Sequence, residues 1–280
     1  MELTDPATIR TILKEYGMSA QKKLGQHFLI DQAVLSDTIR AAQLTAKDTV
    51  LEIGPGLGTL TRALCDQALQ VVAIEKDPQM IKAFRLINAD LTNVQLLAGN
   101  ALVLPPKFFT DTLKGNYKLV ANLPYYLTSA ILRFFLQTKW RPAMMVLMVQ
   151  REVAERIIAT PPDANLLSVA VQFYGQPKLI QTIPARSFWP APKVDSAIIK
   201  IIPHPKALYS INDERKFFRI VKAGFSQRRK QLHNSLSGGL NLSDETVRQA
   251  LRKSRIASHR RAQTLTLAEW VKLYEKIKIT

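Results

Sequence analysis

The sequence predicts an α/β domain, with a mostly parallel sheet and helices on both faces, followed by a small all-α domain at the C-terminus. Short apolar runs rich in β-branched residues alternate with helical patterns in the first part of the chain. This alternation is typical of βαβ crossovers, which bury near-continuous apolar strands between two layers of helices. Beyond Pro203 and Pro205 only helical patterns remain, so we predict domains at 1–205 and 206–280.

Seven apolar runs are the candidate strands of the first domain. They are VLEIG (50–54), VVAIE (71–75), VQLLAG (94–99), YKLVANL (117–123), AMMVLMVQ (143–150), LSVAVQF (167–173) and AIIKII (197–202). Helical patterns follow the first, second and fourth runs, as TLTRALCDQ, DPQMIKAFRLI and TSAILRFFLQ. The shorter spacers between the last runs favour antiparallel pairing there.

Helices are predicted at both ends of the chain. Residues 1–30 form an N-terminal cap segment on the sheet, with a helix at about 5–16 followed by KKLGQHFL. The C-terminal domain contains helical patterns at roughly 212–225, 228–236, 243–253 and 266–277, with SGG at 237–239 as an interruption.

The charge of the chain favours a polyanionic partner. The 280 residues carry 39 Lys and Arg against 22 Asp and Glu, a net charge of +17. Residues 206–280 alone hold 17 basic and six acidic side chains. Nucleic acid is the preferred partner. An anionic membrane surface is the weaker alternative, because the basic residues are spread over helices without an exposed aromatic face.

Several function classes are disfavoured by composition. The single Cys65 lies in an apolar-periodic stretch, which predicts a buried inert thiol and a reducing, cytoplasmic setting. The four histidines are far apart in sequence and have no metal-ligand spacing, so we predict no metal. The N-terminus lacks the pattern of a signal peptide, and the longest strongly apolar run, AMMVLMV, is too short to span a bilayer.

A glycine-rich turn and an acidic strand end predict a nucleoside-containing cofactor. Gly54, Gly56 and Gly58 lie where the first strand passes into a helix, and glycine lets a backbone approach a ligand closely there. Glu75 ends the second strand, where a carboxylate accepts hydrogen bonds from a ribose diol. NAD and S-adenosylmethionine both satisfy these features. A glycine turn without a ligand and a solvated Glu75 are the structural alternatives.

The fourth strand ends in Asn122-Leu123-Pro124-Tyr125, which suits an exocyclic amine on a flat ring. The amide oxygen of Asn122 and the carbonyl of Leu123 can each accept one hydrogen of an adenine N6 amine, which favours an sp3 nitrogen. Pro124 fixes the turn, and Tyr125 offers a stacking face for a base that has left its duplex. An ordinary Asn-Pro turn with a core tyrosine is the alternative.

Eight motifs, in this order, resemble the KsgA-type small-subunit (16S) rRNA adenine N6,N6-dimethyltransferase family over nearly the whole chain. They are KKLGQHFL (22–29), LEIGPGLGTLT (51–61), VVAIEKD (71–77), GNAL (99–102), VANLPY (120–125), MVQREVAERI (148–157), SFWPAPKVDS (187–196) and FSQRRKQLHNSL (225–236). The resemblance implies a Rossmann-like S-adenosylmethionine-dependent methyltransferase fold. The erythromycin-resistance rRNA methyltransferases share the first half of these motifs, while LGQHFL, the Leu of NLPY and the FSQRRKQLHNSL segment favour the small-subunit enzymes.

The resemblance also implies which residues form the site. The expected cofactor is S-adenosyl-L-methionine, with S-adenosyl-L-homocysteine as the product. One set of residues is expected to contact the cofactor, and a second, catalytic set is expected to contact the target base. The cofactor set is His27, Leu29, Gly54, Glu75, Asn100 and Asn122, and the catalytic set is Asn122, Leu123, Pro124, Tyr125 and Phe188. Phe188, from the F-x-P-x-P motif with Pro190 and Pro192, is expected to flank the adenine opposite Tyr125.

Three positions depart from the family pattern. Asn100 replaces the usual Asp after the third strand, which keeps an acceptor oxygen but loses a charge. The loop at 159–167 lacks the usual glycines, so the family's mode of RNA docking is not carried over to this loop. Gln263 replaces a common acidic residue and is expected to affect only helix packing.

The implied activity is methyl transfer to N6 of two adjacent adenosines in the 3′-terminal hairpin loop of small-subunit rRNA, during small-subunit biogenesis. The implied partner is rRNA within a partly assembled 30S particle, with no membrane partner. The protein is expected to be a cytoplasmic monomer, in which Arg228, Arg229 and Lys230 open a helix and contact phosphates. A non-catalytic rRNA-binding assembly or transcription factor, a large-subunit methyltransferase of the erythromycin-resistance type and a nicotinamide-dependent oxidoreductase are the alternatives.

Overall fold

A computed structural model describes residues 2–20, 25–205, 208–209 and 211–279. Residues 22–24 of the KKLGQHFL motif therefore lie outside the described residues. The chain packs into two compact units, one of Met1–Ala154 with Pro177–Pro203 and one of Glu155–Gln176 with His204–Thr280. The second unit thus includes a segment, 155–176, that the sequence assigned to the first domain.

The first unit is built on the predicted sheet. The strands among the described residues are β1 (Phe28–Leu29), β2 (Thr49–Ile53), β3 (Gln70–Glu75), β4 (Val94–Ala98), β5 (Lys118–Asn122), β6 (Met144–Gln150), β7 (Gly175–Ile183), β8 (Phe188–Trp189) and β9 (Ser196–Pro203). The main sheet has the order β4-β3-β2-β5-β6-β9-β7, and β1 pairs with β8 separately. Strands β4, β3, β2, β5 and β6 are parallel, whereas β9 is antiparallel to β6. The predicted mixed sheet is confirmed.

Six helices begin in the described part of this unit. They are α1 (Pro6–Glu15), α2 (Gln32–Ala42), α3 (Thr59–Cys65), α4 (Pro78–Ile87), α5 (Thr128–Gln137) and α6 (Arg151–Ile158). Asp5, Asp31 and Asp77 cap the first turns of α1, α2 and α4 by accepting backbone N–H bonds. Proline at the first position of α1 and α4 is already set to the helical φ.

The strands are buried because the sheet is covered by helices. All five residues of β2 are buried, and an apolar cluster joins residues of α2, α3 and the neighbouring strands. Cys65 lies in this cluster, and burial raises the pKa of its thiol to about 12. The thiolate is therefore negligible at neutral pH, as expected for an inert thiol. No helix in the described ranges is long and apolar enough to cross a bilayer.

The second unit is helical among its described residues, apart from the start of β7. Its helices are α7 (Leu166–Tyr174), α8 (Glu214–Gly224), α9 (Leu232–Leu240), α10 (Asp244–Lys253) and α11 (Leu267–Lys276). The prediction of a strand at 167–173 is wrong. Asn165 and Ser168 form a capping box that starts α7 at this run. An apolar run of this length fits either a buried strand or a buried helix, and the cap decides between them.

Two further predictions for the C-terminal helices are corrected. Residues 237–239 lie inside α9 and do not interrupt it. A Cβ on Gly239 would come within 2.7 Å of the Ala223 Cβ in α8. The glycine therefore permits close packing of α9 against α8. The predicted helix start at 228 is also wrong, since α9 begins at Leu232 and the Arg228–Lys230 triplet lies in the turn before it.

Candidate active site

A cavity of about 620 Å³ opens at the carboxyl edge of the parallel strands. Strand β2 pairs with β3 on one side and with β5 on the other, so the chain reverses its direction of travel across the sheet there. Open α/β sheets bind ligands at such a position. Seven of the predicted site residues line this cavity: His27, Leu29, Gly54, Glu75, Asn100, Asn122 and Pro124.

The glycine turn requires its glycines. Gly54, Gly56 and Gly58 have φ values of 69°, 58° and 97°, in the left-handed region. A Cβ on Gly58 would come within 2.6 Å of Asn88 Nδ2, which itself donates to the Leu57 carbonyl at 3.0 Å. Gly58 is the N-cap of α3 and offers no side-chain cap, so the first turn of that helix keeps N–H groups for a ligand.

Glu75 ends β3 with its carboxylate at the cavity. Its Oε1 accepts the backbone N–H groups of Lys76 at 2.7 Å and Asp77 at 2.9 Å. Burial raises the pKa of Glu75, while the N–H groups of Asp77, Lys76 and Gly56 oppose that rise. A carboxylate has about four acceptor positions, so these bonds leave capacity for a diol.

Glu52 lines the cavity and is not among the site residues predicted from the sequence. It lies in β2, two residues before Gly54, and is only 1% exposed. Thr61 Oγ1 donates to its Oε2 at 2.6 Å, and burial raises the pKa of Glu52 to about 8. The carboxyl is therefore mostly neutral at pH 7. A charged residue in the middle of the apolar run VLEIG is the sequence signal that would have identified it.

Asn100 lines the cavity with its amide engaged locally. Its Oδ1 accepts the backbone N–H of Leu102 at 3.0 Å. From the sequence we expect this oxygen to accept a hydrogen bond from an adenine amino group. The Nδ2 group is a donor, and an oxygen has a second lone pair, so the side chain can still contact a ligand.

Asn122 stands at the end of β5 with a fixed amide. Its Nδ2 donates to the backbone carbonyl of His27 at 3.1 Å, which leaves Oδ1 as an acceptor for the cavity. Leu123 is 2% exposed, and its N–H donates to the Met148 carbonyl at 3.2 Å. Pro124 holds φ at −55°. The turn is therefore held by one side-chain bond to the cap segment and one backbone bond to β6.

The cap segment and the turn after β5 share a polar network. His27 Nδ1 lies 2.6 Å from the Pro190 carbonyl, which can only accept, so Nδ1 carries the hydrogen. The His27 and Tyr125 rings are stacked, with centroids 5.9 Å apart and an interplanar angle of 20°. The Tyr125 hydroxyl bonds Ser196 Oγ at 2.7 Å, and burial raises the pKa of Tyr125.

Phe188 is not brought to the cavity. It is 2% exposed, pairs with Leu29 in the β1–β8 ladder and packs in the same apolar cluster as Leu29. The expectation of a stacking wall opposite Tyr125 is therefore not met by this ring, because packing in the core leaves no face for a base. Tyr126 is an exposed aromatic residue on the cavity wall. It is not among the site residues predicted from the sequence, although it directly follows the tyrosine of NLPY.

Arg228, Arg229 and Lys230 belong to the second unit. All three side chains are exposed, in the turn between α8 and α9. An exposed turn presents its charges to solvent, which is compatible with phosphate contacts.

The fold and the cavity define a Rossmann-like methyltransferase, and solved structures agree. The chain is similar to the 23S rRNA methyltransferase ErmE, with a TM-score of 0.70 and 25% identity over 89% of this chain and 99% of that one. It is also similar to a dimethyladenosine transferase from Plasmodium falciparum, with a TM-score of 0.73 and 26% identity over 88% of this chain and 96% of that one.

A family model described as ribosomal RNA adenine dimethylase matches residues 17–278. The chain belongs to the ribosomal RNA adenine dimethylase family. It is 44% identical over 269 residues to the ribosomal RNA small subunit methyltransferase A of Dehalococcoides mccartyi, covering 95% of this chain and 91% of that protein. It is 38% identical over 281 residues to the protein of that name from Alkaliphilus metalliredigens, covering 99% and 98%.

Proposed function

We propose that this protein transfers methyl groups from S-adenosylmethionine to N6 of two adjacent adenosines in the 3′-terminal hairpin loop of small-subunit rRNA. The products are N6,N6-dimethyladenosines, formed during small-subunit biogenesis. The observation that carries the proposal is the fixed Asn122 amide, whose oxygen remains free to accept a hydrogen bond at the cavity. The relatives named ribosomal RNA small subunit methyltransferase A support the choice of rRNA.

The residues at the cavity fit S-adenosylmethionine. A volume of about 620 Å³ is within the usual range for small-molecule sites. The Glu75 carboxylate suits a ribose diol, and the turn at Gly54–Gly58 lets the backbone approach a ligand. When bound, the donor supplies an electrophilic methyl group on a sulfonium leaving group.

The protein's own contribution to the reaction is positioning and hydrogen bonding. Asn122 Oδ1 and the Leu123 carbonyl each accept one N6 hydrogen, so the nitrogen lone pair is drawn out of conjugation with the ring. Tyr125, held by Ser196 and His27, offers a fixed ring for stacking of the base. A proton is lost from the cationic amine only after attack, so no dedicated base is needed.

The basic second unit is proposed to hold the RNA. Residues 206–280 carry most of the excess positive charge, and the Arg228–Lys230 turn is exposed. Lysine and arginine contacts to phosphate provide affinity without sequence readout, so selection of the adenosine falls to the cavity and to RNA shape. We further propose a cytoplasmic monomer that acts on a partly assembled 30S particle.

Methyl mapping on ribosomal subunits tests this function. Unmethylated small and large subunits are incubated with labelled S-adenosylmethionine and the protein, and dimethyladenosine is located by mass spectrometry. We expect label on two adjacent adenosines near the 3′ end of the small-subunit rRNA. Label in the large subunit alone would favour the erythromycin-resistance type. Cofactor binding without transfer to either subunit would favour a non-catalytic assembly factor.

A further inference from the structure

Tyr126 presents an exposed aromatic ring on the cavity wall. Tyr126 is 64% exposed, and the described residues provide it with no ring contact or hydrogen bond. Its neighbour Tyr125 differs, with its hydroxyl on Ser196 and its ring against His27. Aromatic side chains normally stabilise proteins by being buried, so an exposed ring beside a ligand cavity suggests a binding surface.

The backbone of Tyr126 is fixed on both sides. It lies within a single 3-10 turn, Tyr125–Leu127, closed by a bond from the Leu127 N–H to the Pro124 carbonyl at 2.9 Å. That turn continues into α5, whose first residue, Thr128, is 1% exposed. Only the two side-chain torsions of Tyr126 remain to be ordered, so a ligand stacked on the ring pays little conformational entropy.

The proposed substrate exposes the face of a nucleobase when the target adenosine leaves its stack. Bases in single-stranded loops are commonly recognised by stacking on aromatic side chains. When a target adenosine leaves its stack to enter the cavity, the adjacent base loses one stacking neighbour. Tyr125 and Tyr126 are consecutive in the chain. The half-buried ring of Tyr125 lies against His27, and the exposed ring of Tyr126 lines the cavity, so two adjacent rings are available to two adjacent bases.

We propose that Tyr126 is a stacking platform for the nucleobase adjacent to the target adenosine. The inference rests on the proposed function, because it takes single-stranded rRNA as the substrate. Tyr126 is then a substrate-binding residue outside the methyl-transfer machinery. It holds the unreacted neighbour at the cavity while the target is methylated, and the same ring serves both adenosines in turn.

Fluorescence and kinetics test the platform together. A hairpin RNA carries 2-aminopurine at one of the two adjacent loop adenosines; because 2-aminopurine lacks the N6 amine, the other adenosine is the methyl acceptor. Binding to the wild type and to Tyr126→Phe should quench the fluorescence by stacking, whereas Tyr126→Ala should not quench it. With unmethylated small subunits, Tyr126→Ala should raise KM about tenfold and change kcat less than twofold.

The controls separate this proposal from the proposed function. Leu86→Ala removes a comparably exposed apolar side chain, 55% exposed on α4, and should leave KM unchanged. Equal quenching by the wild type and Tyr126→Ala, or a KM within twofold of the wild type, overturns the stacking role while methylation stands. Absence of quenching in the wild type overturns it as well. Absence of methyl transfer by the wild type to any subunit overturns the proposed function, and the stacking role with it.

Discussion

The Asn122 amide donates through Nδ2 to the His27 backbone carbonyl at 3.1 Å, across 95 positions of sequence. This bond orients the amide, because Nδ2 is committed to a carbonyl that can only accept. Its oxygen is then held at the cavity as an acceptor. The N-terminal cap therefore sets the direction of the proposed catalytic amide through its backbone.

Replacement of Asn122 should abolish most methyl transfer without preventing RNA binding. Asn122→Ala removes the acceptor for N6, and the loss of one such preorganised group costs on the order of 100-fold or more in rate. Asn122→Asp should also be impaired, because a carboxylate faces the His27 carbonyl where a donor is needed. Single-turnover methylation and RNA binding measure the two effects separately.

Asn93→Ala is a matched control for that substitution. The Asn93 side chain donates to the carbonyls of Cys65 and Ala68, at 2.9 and 3.1 Å, and does not line the cavity. It should lower stability while the rate per folded molecule stays near that of the wild type. If Asn122→Ala retained a rate within a factor of a few of the wild type, the assigned role would be wrong.

The glycine turn predicts a difference between two Gly→Ala variants. Gly58 and Gly115 both have positive φ, but a Cβ would contact the buried Asn88 only at Gly58, and nothing lies within 4 Å at Gly115. Gly115→Ala should therefore cost only the backbone strain, about 1 kcal/mol, while Gly58→Ala should cost more and should weaken cofactor binding. Denaturant unfolding and calorimetric titration with S-adenosylmethionine measure these effects. Equal losses at both sites would contradict the packing argument.

The buried Glu52 predicts a particular pH dependence of stability. Burial raises its folded pKa to about 8, far above the value of an unfolded glutamate. The folded state binds the extra proton, so stability from this group is complete below about pH 4.5 and is lost as pH rises through 8. Its size is on the order of a few kcal/mol.

Glu52→Gln tests this dependence because it keeps the shape and removes the titration. The thermal unfolding temperature of the wild type should fall more between pH 5 and pH 8 than that of Glu52→Gln, since the amide has no proton to release. The pKa of Glu75 is also raised by burial, and the charge of Glu75 contributes to the raised pKa of Glu52, so the difference between the two curves reports Glu52 together with its coupling to Glu75. Parallel curves would show that Glu52 is ionised in the folded protein at neutral pH.

The sequence was sufficient for elements whose local and tertiary signals agree. The strands of the parallel sheet read as continuous apolar runs, and α1 and α4 begin at an Asp-Pro pair, so their starts are visible without the fold. The prediction of a strand at LSVAVQF was wrong because its composition suits either a strand or a helix. The cap at Asn165 favours the helix. The prediction of a break at 237–239 is wrong because Gly239 is there for the packing of α9 against α8, which no local pattern encodes.

The site residues also divide into those that could be predicted from the sequence and those that could not. Gly54 directly follows β2, and Glu75 and Asn122 are the last residues of β3 and β5, so their places at the cavity could be predicted from topology. Phe188 could not be placed, because a two-residue pairing with β1 turns its ring into the core. Exposure of a side chain depends on the register of a short ladder, and sequence spacing does not determine that register.

The exposed basic turn predicts how the affinity for RNA depends on salt concentration. Each phosphate contact with single-stranded RNA contributes about 0.7 to the slope of log affinity against log salt, so replacement of Arg228, Arg229 and Lys230 by alanine should flatten the slope by up to about 2. Binding is measured at several salt concentrations. The matched control removes three exposed basic residues of the first unit, Lys82, Arg85 and Lys107, and leaves the net charge of the two variants equal. Because both variants lose the same charge, an equal flattening would show that the effect follows overall charge, while a larger change in the turn variant would place phosphates at residues 228–230.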